Sequence, residues 1–209
     1  MQILCLDLEG VLIPEIWQAV AEQTGVAELA KTTRDIPVYD DLMQLRLTAL
    51  TRAGVTYETI ADVIGKVEPL PGAQAFMQWA RSRMQVAIIS DTFYEFGMPM
   101  MAKLGQPLLL CHRLDIQDGY IKGYHLRQAD PKRHSVQAFQ GLGYRVCAAG
   151  DSYNDVSMLD QADAGAFFGA PDNVVAEFPQ YPQTNGYAEL QAWLEEQLEE
   201  QLERQSAQA

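Results

Sequence analysis

Two carboxylates two positions apart, Asp7 and Glu9, close a short apolar run, Ile3-Leu4-Cys5-Leu6, just where a buried strand should stop. In an extended segment residues i and i+2 point the same way, and like charges on one face oppose each other. The stability of a strand gives no reason for such a pair at its exit, whereas a bound cation does. Magnesium takes oxygen ligands and keeps positions open for a substrate phosphate, and a carboxylate beside it can attack phosphorus to form an aspartyl-phosphate.

Three other places carry complementary groups. Val86-Ala87-Ile88-Ile89-Ser90-Asp91-Thr92 is a second apolar run that ends in a hydroxyl, and Ser90 can donate to a phosphoryl oxygen. Asp130-Pro131-Lys132-Arg133 precedes a helical pattern. It sets the cation Lys132 near a helix start, where free backbone N–H groups favour an anion. Ala148-Ala149-Gly150-Asp151-Ser152-Tyr153-Asn154-Asp155 ends a third apolar run in a glycine turn with two acids and an amide, so Asp151 is the natural second carboxylate for a metal. Each has an ordinary reading alone: a helix cap, a solvated lysine, a turn. In an open parallel sheet, however, ligands bind beyond the carboxyl ends of the strands, and three of these features terminate strands.

The elements that must position them follow from the pattern. Strand-like runs at Ile3–Leu8, Val86–Ser90, Leu108–Cys111, Val146–Ala149 and Ala164–Phe168 alternate with helical stretches, the signature of an α/β fold with a Rossmann-like parallel sheet. The interval 14–68 has no convincing strand but carries amphipathic patterns at Ile16–Glu22, Leu42–Ala53 and Tyr57–Val67. It reads as a small helical cap inserted into a core formed by 1–13 and 69–209, with Pro69-Leu70-Pro71-Gly72 marking the return. Alternation around Asp118-Gly119 between Arg113 and Arg127 predicts a hairpin. Leu190, Leu194, Leu198 and Leu202 predict an amphipathic helix that packs on the body.

The 209 residues hold 15 basic and 28 acidic side chains, a net charge of −13. That argues against a nucleic-acid or anionic-membrane surface, so any phosphate site is local. Cys5, Cys111 and Cys147 are scattered through apolar runs, with neither zinc nor disulfide spacing. With no leader-like N-terminus and no span-length apolar run, a cytoplasmic protein is expected. Pairing of the chain with itself, a possible homodimer, is left open.

The order of motifs resembles the haloacid dehalogenase superfamily of aspartate-nucleophile phosphotransferases, whose pattern is an acidic pair, Ser or Thr, Lys, then Gly-Asp with a further acid. The helical insertion between the first two motifs is similar to that of its phosphoserine phosphatase branch. Asp7-Leu8-Glu9-Gly10-Val11-Leu12, Thr33-Arg34-Asp35-Ile36-Pro37, Ser90-Asp91-Thr92-Phe93-Tyr94-Glu95 and Gly150-Asp151-Ser152-Tyr153-Asn154-Asp155 look like a narrower group, the bifunctional phosphoserine phosphatases and phosphoserine:homoserine phosphotransferases. Glu9 departs from the superfamily's usual second Asp, which sets the acid back by one carbon-carbon bond, roughly 1.5 Å.

The resemblance implies Asp7 as nucleophile and Glu9 as acid and base. It also implies Mg2+ on Asp7, the Glu9 carbonyl and Asp151, with Asp155 completing the shell, and Ser90 and Lys132 on the phosphoryl oxygens. The substrates it implies are L-phosphoserine, homoserine and water. Glu15 would meet the substrate ammonium and Arg46 its carboxylate, with Asp91 and Asn154 also at the substrate. Glu15 after Pro14 also reads as a helix start, Arg46 could face water, and Arg34 competes for its role. A phosphatase for another small phosphomonoester stays open. A receiver-type signalling domain also uses Asp, Ser or Thr, Lys and magnesium, but its phosphorylated Asp follows a middle strand. A nucleotide-dependent kinase lacks its Gly-Lys-Ser/Thr loop here.

Overall fold

A computed structural model of the chain describes residues 1–32, 35–36 and 38–207. Strand β1 (Gln2–Leu6) leads into helices α1 (Ile16–Thr24), α2 (Tyr39–Ala53), α3 (Tyr57–Lys66) and α4 (Ala73–Arg81). Then come β2 (Gln85–Phe93), α5 (Tyr94–Lys103), β3 (Leu108–Gln117), β4 (Tyr120–His125), α6 (Pro131–Gly141), β5 (Arg145–Gly150), α7 (Val156–Gln161), β6 (Ala164–Phe168), α8 (Asp172–Glu177), β7 (Gln183–Thr184) and α9 (Tyr187–Ala207). Single 3-10 turns lie at Ala27–Ala30 and Tyr153–Asp155.

The sheet runs β4-β3-β2-β1-β5-β6-β7, parallel throughout except for the antiparallel β3/β4 pair. β1 is central and buried along its length. Its alternation serves both faces: Leu4, Leu6 and Leu8 join the larger apolar cluster, which also takes Trp17, Val20 and Ile64 from the helical interval, while Ile3 and Cys5 face Val136 and Met158 on the other side. With β2 and β5 flanking it in register at Leu6↔Ile88 and Leu6↔Ala149, the ends of three strands come to one edge.

Several boundaries differ from the sequence pattern. β1 stops at Leu6 rather than Leu8, because Asp7 Oδ1 accepts the Leu8 N–H at 2.7 Å and the chain turns, with Leu12 N–H donating to Leu8 O at 2.8 Å. The strand expected at Leu108–Cys111 and the first arm of the expected hairpin are one continuous strand running through His112. Its turn has Asp118 at φ 52° and Gly119 at φ 78°, the left-handed pair of a type I′ turn. Gly119 O accepts the Tyr57 N–H at 2.8 Å, which ties the hairpin tip to α3. β7 is a two-residue strand that alternation has too few positions to reveal. In α9, Leu190 and Leu194 are fully buried, Leu198 is partly buried, and Leu202 is 63% exposed. Tyr187 anchors the helix by stacking on Phe76 at 5.1 Å. The three cysteines are free and buried, and among the described residues no helix is long and apolar enough to cross a membrane.

Candidate active site

Asp7 is the first residue past β1, held by its N–H to Ala149 O at 3.1 Å. Lys132, on the first turn of α6, reaches under it with only 2% of its side chain exposed. Its Nζ lies 2.6 Å from Asp155 Oδ1, 3.1 Å from Asp7 Oδ2 and 4.0 Å from Asp91 Oδ2. Burial alone would pull the ammonium down, but Asp155, Asp7 and Asp91 hold it well above its ordinary value. Both oxygens of the Asp155 side chain are engaged: Oδ1 takes Lys132, and Oδ2 accepts the N–H groups of Asp151 and Ser152 at 3.0 Å each. This closes the turn after β5 as a capping box.

Two glycines make the crowding possible. Gly10 (φ 78°) lets Asp151 come so close that a Cβ there would sit 2.3 Å from its Oδ2, and a Cβ at Gly150 would sit 2.2 Å from Asp155 Cγ. As a result Asp7, Asp151 and Asp155 each offer an oxygen within 4.8 Å of the others. Burial first, then the neighbouring acids, push Asp7 well above the usual carboxylate range and Asp151 up to about 7. Acids strained upward in this way around a single lysine fit a divalent cation, whose charge would relieve them.

The Glu9 carboxylate turns away from that triad: Oε2 accepts the Ile16 N–H at 2.9 Å, at the start of α1. Burial and the nearby Glu15 push it up to about 7. Asp7, Glu9, Glu15, Arg46, Ser90, Asp91, Asp151 and Asn154 all line one cavity of about 140 Å³, with Lys132 and Asp155 buried beneath its floor. Ser90 is 4% exposed and its Oγ accepts the Thr92 N–H at 3.2 Å. Asn154 Nδ2 donates to Asp91 Oδ2 at 2.8 Å. Burial would raise Asp91, but Lys132, His112 and Asn154 hold it down at about 2.

The two open readings on the helical side resolve differently. Arg46 does not face water: it is 7% exposed, donates to Lys31 O at 2.7 Å, and stacks over Trp17 at 4.7 Å. Its Nε has no partner among the described residues. Glu15 sits at the N-cap of α1 and also lines the cavity, but its side chain makes no capping hydrogen bond. Thr33, Arg34 and Pro37 lie outside the described residues, so the competing reading of Arg34 does as well.

Sequence reasoning passed over four side chains. Trp17, Tyr39 and Thr92 line the cavity, and His112 stands behind Asp91 with Nε2 3.6 Å from Asp91 Oδ1. Thr92 repeats the polar character of Ser90 two positions on, a signal that was present; its buried side chain lies beside the Glu9 carboxylate. Trp17 sits in a helical pattern that reads as core, and Tyr39 precedes the pattern at Leu42–Ala53, since α2 begins three residues earlier.

A mostly parallel sheet with a carboxylate cluster beyond its central strand, held on one buried lysine, defines an α/β hydrolytic site. A family model for haloacid dehalogenase-like hydrolases matches residues 1–163, and the chain belongs to that family. It is 57% identical over 191 residues to the protein named phosphoserine phosphatase ThrH of Pseudomonas aeruginosa, an alignment spanning 91% of this chain and 93% of that one. It is 56% identical over 191 residues to a phosphoserine phosphatase of Pseudomonas syringae pv. tomato, spanning 91% of this chain and 81% of the relative. A solved structure described as a phospho-aspartyl intermediate analogue of phosphoserine phosphatase matches with a TM-score of 0.72, covering 92% of this chain and 98% of its own. At 19% identity that likeness speaks for the fold.

Proposed function

We propose that this chain is a cytoplasmic, magnesium-dependent phosphoserine phosphatase that works through a phosphorylated Asp7 and also transfers the phosphoryl group from phosphoserine to homoserine. The observation that carries the reading is one small cavity with two chemically distinct sets of groups. Asp7, Glu9 and Ser90 supply groups for phosphoryl transfer, with Lys132 beside Asp7, and the Nε of Arg46, unpartnered among the described residues, and the carboxylate of Glu15 can read a zwitterion. The relatives named phosphoserine phosphatase support the substrate, and the motif resemblance supports homoserine.

Ionised Asp7 attacks phosphorus in line, and the bond to the serine oxygen breaks as Glu9 gives that oxygen its proton. A carboxyl with its pKa pushed up to about 7 is suited to do this and then to take a proton back from water or from the homoserine hydroxyl, whose oxygen displaces Asp7 from phosphorus. Ser90 and Lys132 hold the non-bridging oxygens. A magnesium ion held by Asp7, Asp151 and the Glu9 carbonyl, with Asp155 completing the shell directly or through water, would supply the charge that neutralises those oxygens. Arg46 holds the substrate carboxylate and Glu15 its ammonium, with Asp91 and Asn154 forming the adjoining wall. Residues 1–13 and 69–209 then carry the transfer chemistry, and 14–68 the choice of substrate.

The test is turnover of L-phosphoserine with and without magnesium and homoserine, followed by product identification. Magnesium-dependent release of serine, and O-phosphohomoserine when homoserine is added, are expected. Turnover of other phosphomonoesters but not of phosphoserine would remove the substrate assignment, and phosphate alone in the presence of homoserine would remove the transfer.

A further inference from the structure

A second, larger cavity of about 800 Å³ lies against the catalytic one, bounded by Leu126, Pro131 and Tyr153 among others. The two cavities share three residues: Tyr39, Asp91 and Asn154 line both. Asn154 and Tyr39 are each hydrogen-bonded to Asp91. Asn154 Nδ2 donates to Asp91 Oδ2 at 2.8 Å, and the Tyr39 hydroxyl donates to Asp91 O at 3.1 Å.

His112 backs the group from β3. Its Nδ1 accepts the Arg127 N–H at 3.1 Å, so the ring proton is on Nε2, which faces Asp91 Oδ1 at 3.6 Å. His112 is 3% exposed, and the rings of Tyr39 and Phe93 pack against it at 6.3 Å. Asn154, His112 and Lys132, from three separate segments, thus face one carboxylate that stands between a small polar chamber and a roomy one.

We propose that the Asp91–Asn154 hydrogen bond, backed by His112 and Tyr39, is a size-limiting wall: it keeps the catalytic chamber to phosphomonoesters of small leaving groups, and opening it admits bulkier ones from the same chemistry. A carboxylate fixed by a histidine, an amide and a lysine cannot swing aside, whereas a wall of loosely packed apolar side chains would yield. The inference deepens the proposed function, on which it rests for the small substrate, but the wall itself requires only that the site cleave phosphomonoesters.

Asn154→Ala removes the amide half of the wall, and His112→Ala loosens Asp91 without touching the chamber. The readout is the ratio of kcat/KM for 4-methylumbelliferyl phosphate to that for p-nitrophenyl phosphate, two aryl esters that differ in bulk and need no amino-acid recognition, with L-phosphoserine run alongside. Pocket discrimination by a single group is worth about tenfold or more, so the ratio should rise at least about tenfold in Asn154→Ala and in the same direction, by less, in His112→Ala. Should Asn154→Ala not fold, Asn154→Ser serves in its place. A merely structural role would lower both aryl rates together, and an unchanged or falling ratio overturns the wall. A parent enzyme that cleaves both aryl esters but not phosphoserine, with the aryl ratio still rising in the variants, would strike the substrate assignment and leave the wall standing.

Discussion

The strand-end cluster and the helical side of the same cavity are built on opposite terms. Around Lys132 nearly every oxygen is committed: Asp155 to the ammonium and two backbone N–H groups, Asp7 to Lys132 and the Leu8 N–H. Across the cavity Arg46 keeps a buried Nε without a partner among the described residues, and the exposed Glu15 makes no cap. Buried polar groups are nearly always paired, so the Arg46 Nε is a donor left over for a ligand. One half is held by its own ion pairs and hydrogen bonds; the other keeps a donor that the described residues do not satisfy.

The sharpest way to break that contrast is Lys132→Met. Removing the partner of several buried carboxylates should cost about 3–5 kcal/mol of stability, read as a fall in denaturant midpoint, and added divalent cation should restore part of it. A variant as stable as the parent would mean that the carboxylates do not depend on Lys132. Arg46→Ala tests the other half: KM for phosphoserine should rise about 10- to 100-fold, as for a lost charged hydrogen bond of ~1.5–3 kcal/mol, while p-nitrophenyl phosphate is little affected. Equal losses on both substrates would make Arg46 structural.

Proton linkage gives a third test. Asp7 and Asp151 are held above their ordinary values, Asp151 at about 7, so the cation-free native state keeps protons that the unfolded chain releases above its carboxylate pKa of about 4. The unfolded state then binds fewer protons, and stability falls as pH rises through the window from about 4 to about 7. With EDTA present, Tm should be higher at about pH 5 than at about pH 8. Magnesium should reverse the order, because its carboxylate ligands must be deprotonated. A Tm that rises with pH in EDTA would contradict the crowding. The smallest effect is expected for Tyr39→Phe, which loses one hydrogen bond to Asp91 O worth about 0.5–1.5 kcal/mol, visible as a small fall in Tm.

The same division governs what could be read from sequence. Asp7, Ser90 and Asp151 follow apolar runs, so the strand pattern alone carries them to one edge, and Lys132 announces itself by its place at a helix start. The helical side has no such rule. Arg46 is turned inward by packing on Trp17, which periodicity in a polar-rich helix does not fix, and Tyr39 lies on a first helical turn that the pattern starting at Leu42 does not include. His112 was hidden because the pattern broke β3 beside it, whereas the strand runs on into the hairpin. Burial of a histidine in a sheet edge depends on what packs from elsewhere, here Phe93 and Tyr39, and no local window contains those partners.

The most direct measurement is rapid acid quench of the enzyme with radiolabelled phosphoserine, followed by mapping of the label. Hydroxylamine-sensitive radioactivity on the peptide that contains Asp7, absent from a folded Asp7→Asn variant, is the predicted result. Label that persists in Asp7→Asn, or turnover in the parent with no label ever trapped at Asp7, would contradict the account.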